Sequence, residues 1–240
     1  MSVMFAKEVD IKNITITPPK TLDSGGKLMF LNYGGDILYI QSPEFELPFD
    51  CSWSEYNENN FPINVSFKDM DSNSGVNDFH KLMSNLDEHF KEEALKNRGP
   101  WLKMPKATKD GIESLYNPQI KLSKDRDTGE PDGKFPDRFQ FKVQRKGGVL
   151  GCKVYDNKKA DLLEGNDGSN LPDLLKKGSK VKALLKCNGI WVANGKFGCN
   201  WKAEQLCVKE CEGLKGFAFR DDSSDDDDDD DSGEVVVSKA

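Results

Sequence analysis

Apolar positions along this chain recur with two different periods, and the switch between them maps its elements. Ile11, Ile14 and Ile16 lie in a β-rich segment that stops at Pro18-Pro19. Leu28 to Tyr33, the pair Gly34-Gly35 and then Ile37 to Ile40 predict a hairpin, because glycines supply the positive φ of a tight turn. A short strand is expected over Ile63 to Phe67. From Val76 the period becomes helical: Val76, Phe79, Leu82, Met83, Leu86, Phe90 and Ala94 fall on one stripe. The helix is expected over about 76–98, ended by Gly99-Pro100. Strands resume near Ile120, Lys121 and Leu122, and a charged loop covers 125–137. Further strands are expected over 138–145 and 149–155, joined by a turn at Gly147-Gly148. A long connection from Asp161 to Lys177, with a short helix at 171–176, leads to a last sheet segment at 180–209.

Asn194-Gly195 is the strongest short hairpin signal in the chain. A two-residue turn there pairs Ala193 with Lys196, Val192 with Phe197 and Trp191 with Gly198. Ile190, Val192, Phe197, Cys199 and Trp201 then share a core face. Trp191, Ala193, Lys196, Gly198, Asn200 and Lys202 share the other. Upstream, Lys180, Lys182 and Lys186 oppose Val181, Ala183, Leu185 and Cys187. The parity breaks at Asn188-Gly189, which predicts a bulge that brings Trp191 round to the lysine side. The same alternation puts Phe139, Phe141 and Val143 inside, with Arg138, Gln140, Lys142, Gln144 and Lys146 outside. Leu150, Cys152 and Val154 point in, while Lys153 and Tyr155 point out. Outward aromatics among cations are how proteins hold a single nucleic-acid strand without reading its sequence.

Charge sharpens this picture. Residues 96–220 carry 26 Lys and Arg against 15 Asp and Glu, a net of +11, although the whole chain is −7. Residues 1–95 are −9, and so is the segment 221–240, with ten carboxylates against the single cation Lys239. Asp225, Asp226, Asp227, Asp228, Asp229, Asp230 and Asp231 form an unbroken run that repels itself and buries nothing, so a disordered, solvated tail is expected. Tethered beside a basic surface, it is expected to compete with nucleic acid and to contact partner proteins. The predicted organisation is one domain over 1–220, with an N-terminal β extension, and an acidic tail over 221–240.

Several classes fall away. No run approaches the ~20 apolar residues that cross a bilayer, and Met1 to Asp10 lacks a signal-peptide pattern. Six cysteines without a signal read as reduced thiols, and an intracellular location is expected. Cys187, Cys199, Cys207 and Cys211 contain no C-x₂-C spacing and read as small buried hydrophobes rather than zinc ligands. His80 and His89 lie on opposite sides of the predicted helix, and no carboxylate pair stands out, so no enzyme and no cofactor are expected.

Lys186-Cys187-Asn188-Gly189-Ile190-Trp191, Gly195-Lys196-Phe197-Gly198 and Trp201-Lys202 resemble the C-terminal block of a viral family. Leu38-Tyr39-Ile40-Gln41-Ser42-Pro43 resembles its N-terminal block. The family is the single-stranded DNA-binding proteins of nucleocytoplasmic large DNA viruses, related to those of T-seven-type phages. The resemblance implies a mainly β, elaborated OB-fold (a Greek-key barrel), which suits the expected strands and single amphipathic helix. It also implies coating of single-stranded DNA in viral replication, recombination and repair, in a host cytoplasmic factory or the nucleus. Replication or recombination proteins are the expected partners of the tail, and a homodimer is left open. The phage tails end in an aromatic residue, whereas this chain ends Val235-Val236-Val237-Ser238-Lys239-Ala240. The residues expected to meet DNA are Lys121, Arg138, Lys142, Lys146, Lys153, Tyr155, Lys180, Lys182, Lys186, Trp191, Lys196 and Lys202. RNA binding and an acidic-tailed chaperone of basic proteins are the competing readings.

Overall fold

The computed structural model describes residues 3–209. In chain order it has β1 (Val3–Phe5), β2 (Ile14–Ile16), β3 (Lys20–Thr21), β4 (Lys27–Met29), β5 (Leu31–Tyr33), β6 (Asp36–Ile37), β7 (Tyr39–Gln41), β8 (Phe45–Glu46) and β9 (Asn60–Ser66). Helices α1 (Ser74–Lys96), α2 (Arg98–Leu102) and α3 (Lys109–Leu115) follow, then β10 (Tyr116–Asn117), β11 (Ile120–Lys121), β12 (Arg138–Lys146), β13 (Val149–Leu150) and β14 (Lys153–Tyr155). Helix α4 (Leu171–Leu174) precedes the two longest strands, β15 (Lys180–Ala193) and β16 (Lys196–Lys209).

Six of these segments, forming five strands, close a ring. Strands β7 and β8 act as one interrupted strand, and β8 pairs with β9 at Glu46–Ser66. Strand β9 runs antiparallel to β12 along its whole length, from Ser66–Arg138 to Asn60–Gln144. Strand β12 runs parallel to β16 at Lys142–Lys202, and β16 turns back antiparallel onto β15. Strand β15 then returns antiparallel to β7 and β8, closing the circle. Counting β7–β8 as the first strand, the order is 1-2-3-5-4-1 with a parallel contact between the third and fifth. That pairing is an OB-fold barrel. Pro43 lacks an N–H and breaks the first strand, but buried Ser42 bridges the gap. Its backbone N–H donates to the Ala183 carbonyl, and its Oγ accepts from the Ala183 N–H, each at 2.8 Å.

The predicted parities hold. Phe139, Phe141, Val143, Ile190, Phe197 and Trp201 are buried inside the barrel. All seven stripe residues of α1 are buried, and Phe79 meets Phe45 and Phe139 edge-on at 5.4 and 5.2 Å. The helix therefore packs its apolar face against the barrel core. Asn73 caps it, its side chain accepting from the N–H groups of Gly75 and Val76. Three expectations change. A short helix, α2, follows α1 directly, because Pro100 lies in its first turn, where a missing N–H costs nothing. Helix α3 was not foreseen. The N-terminal hairpin is confined to β5 and β6 around Gly34-Gly35, at φ 57° and 93°, while residues 39–41 join the barrel.

Candidate nucleic-acid interface

The parallel contact between β12 and β16 is short, and the wedge between them is filled by residues 116–121. Asn117 pairs with Gly198 on β16, and Lys121 pairs with Arg138 on β12. Tyr116 and Ile120 point into the core, so Asn117 and Lys121 face outward. A buried carboxylate on α1 anchors this segment. Asp87 accepts hydrogen bonds from the Tyr116 hydroxyl, the Gln119 N–H (3.1 Å) and the Gln119 amide nitrogen (2.8 Å). The Trp201 indole N–H donates to Gln119 Oε1, tying the same segment to β16. Burial pushes the Asp87 carboxyl above its usual range, against the opposing pull of these hydrogen bonds.

Strand pairing lays cations side by side on the outer face. One row crosses Pro62 (β9), Lys142 (β12), Lys202 (β16), Lys186 (β15) and Tyr39 (β7). A neighbouring row holds Arg138 and Lys121, then Asn117, Gly198, Trp191 and Leu28. The Lys121 ammonium donates to Asn117 Oδ1 at 2.7 Å, and burial holds its pKa below the ordinary lysine value. Trp191 lies half-buried over Gly198, where an added Cβ would come within 3.1 Å of the indole Cζ2. The predicted bulge is present, since the ladder skips from Cys187 to Gly189. Gly189 has φ 105°, and an added Cβ would sit 2.2 Å from the Met29 carbonyl, so only glycine lets β4 dock there.

The structure thus gathers Lys121, Arg138, Lys142, Lys186, Trp191 and Lys202 on one outer face. The remaining expected residues lie apart from it. Lys153, Tyr155 and Lys182 meet around Gln205 and Cys207, further along β16, and Lys180 pairs with Lys209. Lys180 and Lys182 each stand 3.7 Å from Glu44, which offsets their charge. Lys146 and Lys196 sit at the tips of two hairpins. Within the row, Lys202 stands 3.4 Å from Glu204. The aspartates 225–231 and Cys211 lie outside the described residues.

Sequence reasoning missed the loop 47–59 between the first and second barrel strands. OB-folds bind oligonucleotides on the face of strands two and three together with this loop. The Arg138 guanidinium stands 5.2 Å from the Phe49 ring centroid, and that of Arg145 stands 3.9 Å from Trp53. Trp53 in turn meets core Phe61 edge-on at 5.1 Å. Phe49 is 42% exposed and Tyr56 98% exposed. Aromatics at 49, 53 and 56 in an otherwise polar loop were the available signal. Strict alternation points Arg145 inward, but it lies at the hairpin end, where its backbone N–H donates to the Asn59 carbonyl.

No family model and no curated protein matches this chain. Solved structures similar to it include the single-stranded DNA-binding protein of bacteriophage Enc34 in complex with ssDNA, at 12% identity and a TM-score of 0.44. The match covers 84% of this chain and 99% of that one. A second is gp2.5, a single-stranded DNA-binding protein encoded by bacteriophage T7, at 12% identity and a TM-score of 0.41, covering 84% and 100%. Among the described residues, no helix is long and apolar enough to cross a membrane. No group of three or more His, Cys, Asp or Glu among them is arranged to hold a metal.

Proposed function

We propose that this chain is a non-enzymatic single-stranded DNA-binding protein that coats and protects DNA strands during viral replication, recombination and repair. The observation that carries the reading is the outer face of β9, β12, β16 and β15. There Arg138, Lys121, Lys142, Lys202 and Lys186 lie beside Trp191, with Phe49 against Arg138. Cations at neighbouring strand positions track a phosphate backbone, and aromatic faces accept bases of any identity. Stacking on Trp191 and Phe49 needs bases with free faces, which an unpaired strand offers and a duplex does not. Such work places the protein inside the infected cell, in the host cytoplasm or nucleus. The acidic segment 221–240 then competes for the same cations and, when displaced by DNA, is free to contact replication or recombination proteins.

Charge reversal separates this face from the rest of the basic surface. Lys142→Glu and Lys202→Glu should each weaken binding of an oligothymidylate measurably in a fluorescence-anisotropy titration. Lys146→Glu and Lys196→Glu, at the hairpin tips, should do so much less. Equal losses from all four would replace a defined face by diffuse electrostatic attraction.

A further inference from the structure

Cys187 and Cys199 have no part in the interface described above. They lie on the facing strands β15 and β16, twelve positions apart, with their sulfurs 3.3 Å from each other. Cys187 is opposite Trp201, and Cys199 is opposite Ile190. Diagonal neighbours in a regular antiparallel pair stand about 7–8 Å apart, too far for sulfur contact. Here the bulge that drops Asn188 from the ladder brings the two thiols together. The chain between them is the arm that carries Trp191, the Asn194-Gly195 turn and Lys196, so the pair sits at the arm's base. Among the described residues no other two cysteines touch.

We propose that Cys187 and Cys199 form a reversible redox site, which a hydroperoxide oxidises to a disulfide that staples the base of this arm. The sulfur of one thiolate attacks the peroxide oxygen. The O–O bond breaks, a sulfenic acid forms, and water or an alcohol leaves. The second sulfur then displaces the hydroxyl, which departs as water with that thiol's proton. Two thiols thereby lose two protons and two electrons to one peroxide, and a thiol reductant reverses the change. Burial, with its hydrogen bond to Cys187, pushes the Cys199 thiol up, so oxidation should quicken as pH rises. The site is independent of the nucleic-acid reading, since its chemistry needs neither DNA nor the outer face.

The test uses full-length native protein treated with hydrogen peroxide, then blocked with an alkylating reagent, digested without reductant and mapped by mass spectrometry. One peptide pair joined through Cys187 and Cys199, lighter by two hydrogens and released by dithiothreitol, is the expected product. The oxidised protein should also unfold at a higher temperature than the reduced form, because a closed loop restricts the unfolded chain. Cys199→Ser should abolish both the link and the shift. If that variant does not fold, the wild-type map alone decides. Recovery of Cys187 and Cys199 as alkylated thiols or sulfinic acids, or their linkage to other cysteines, would overturn the proposal.

Discussion

Trp191 and Trp201 lie on opposite faces of one hairpin and should behave in opposite ways. Trp191 lies on the outer face over Gly198, and its indole N–H is buried without a partner among the described residues. Trp191→Ala should weaken single-strand binding by about 1–3 kcal/mol and leave the denaturant midpoint nearly unchanged. Trp201 is 2% exposed, meets Phe139 edge-on and donates its indole N–H to Gln119. Trp201→Ala should cost roughly 3–5 kcal/mol of stability by denaturant unfolding. Reversed phenotypes would mean that the register of this hairpin is wrong. Both assignments were legible in the sequence, because Asn194-Gly195 fixes the turn and alternation does the rest. Phe49, Trp53 and Tyr56 were not, since a loop has no period and the arginines reach Phe49 and Trp53 only through tertiary approach.

Among elements, the segment 116–121 was legible only at its end, near Ile120, and it fills the wedge between β12 and β16 in the candidate interface. Its role depends on two strands far apart in the chain running parallel and splaying, which no local pattern encodes. The closure of β15 onto β7 and β8 was hidden for the same reason, as was the Ser42 bridge across Pro43. Helix α1 and the strands β12, β15 and β16 were readable because each presents one buried face at a regular period. Asp87 makes the anchoring of 116–121 testable. Its folded pKa lies above the unfolded value of about 3.9. Its contribution is therefore fully present below the unfolded pKa and lost as pH rises through the folded one. Asp87→Asn keeps the shape without the charge. The stability of wild type relative to this variant should fall as pH rises from acid towards neutral in urea unfolding. A difference that stays flat would show that the hydrogen bonds from Tyr116 and Gln119 offset burial completely.

For the whole molecule, the decisive property is the segregation of charge. A net of −7 conceals +11 over residues 96–220, flanked by −9 on each side. If 221–240 competes for the outer face, ending the chain at Arg220 should tighten single-strand binding, most at low salt. That gain should shrink as screening shortens the range of the charges. Equal affinities of the full and shortened chains at low salt would leave the segment with a solubility role. In the proposed function the barrel's outer face holds a single strand by phosphate neutralisation and base stacking. The most direct test is a binding titration of full-length protein against single-stranded DNA, duplex DNA and RNA of equal length across a salt series. Tightest binding to the DNA single strand is predicted, with log K falling against log salt at a slope near −3, as expected for about four to five neutralised phosphates. Preference for the duplex, or an affinity indifferent to salt, would rule out single-strand binding by this face.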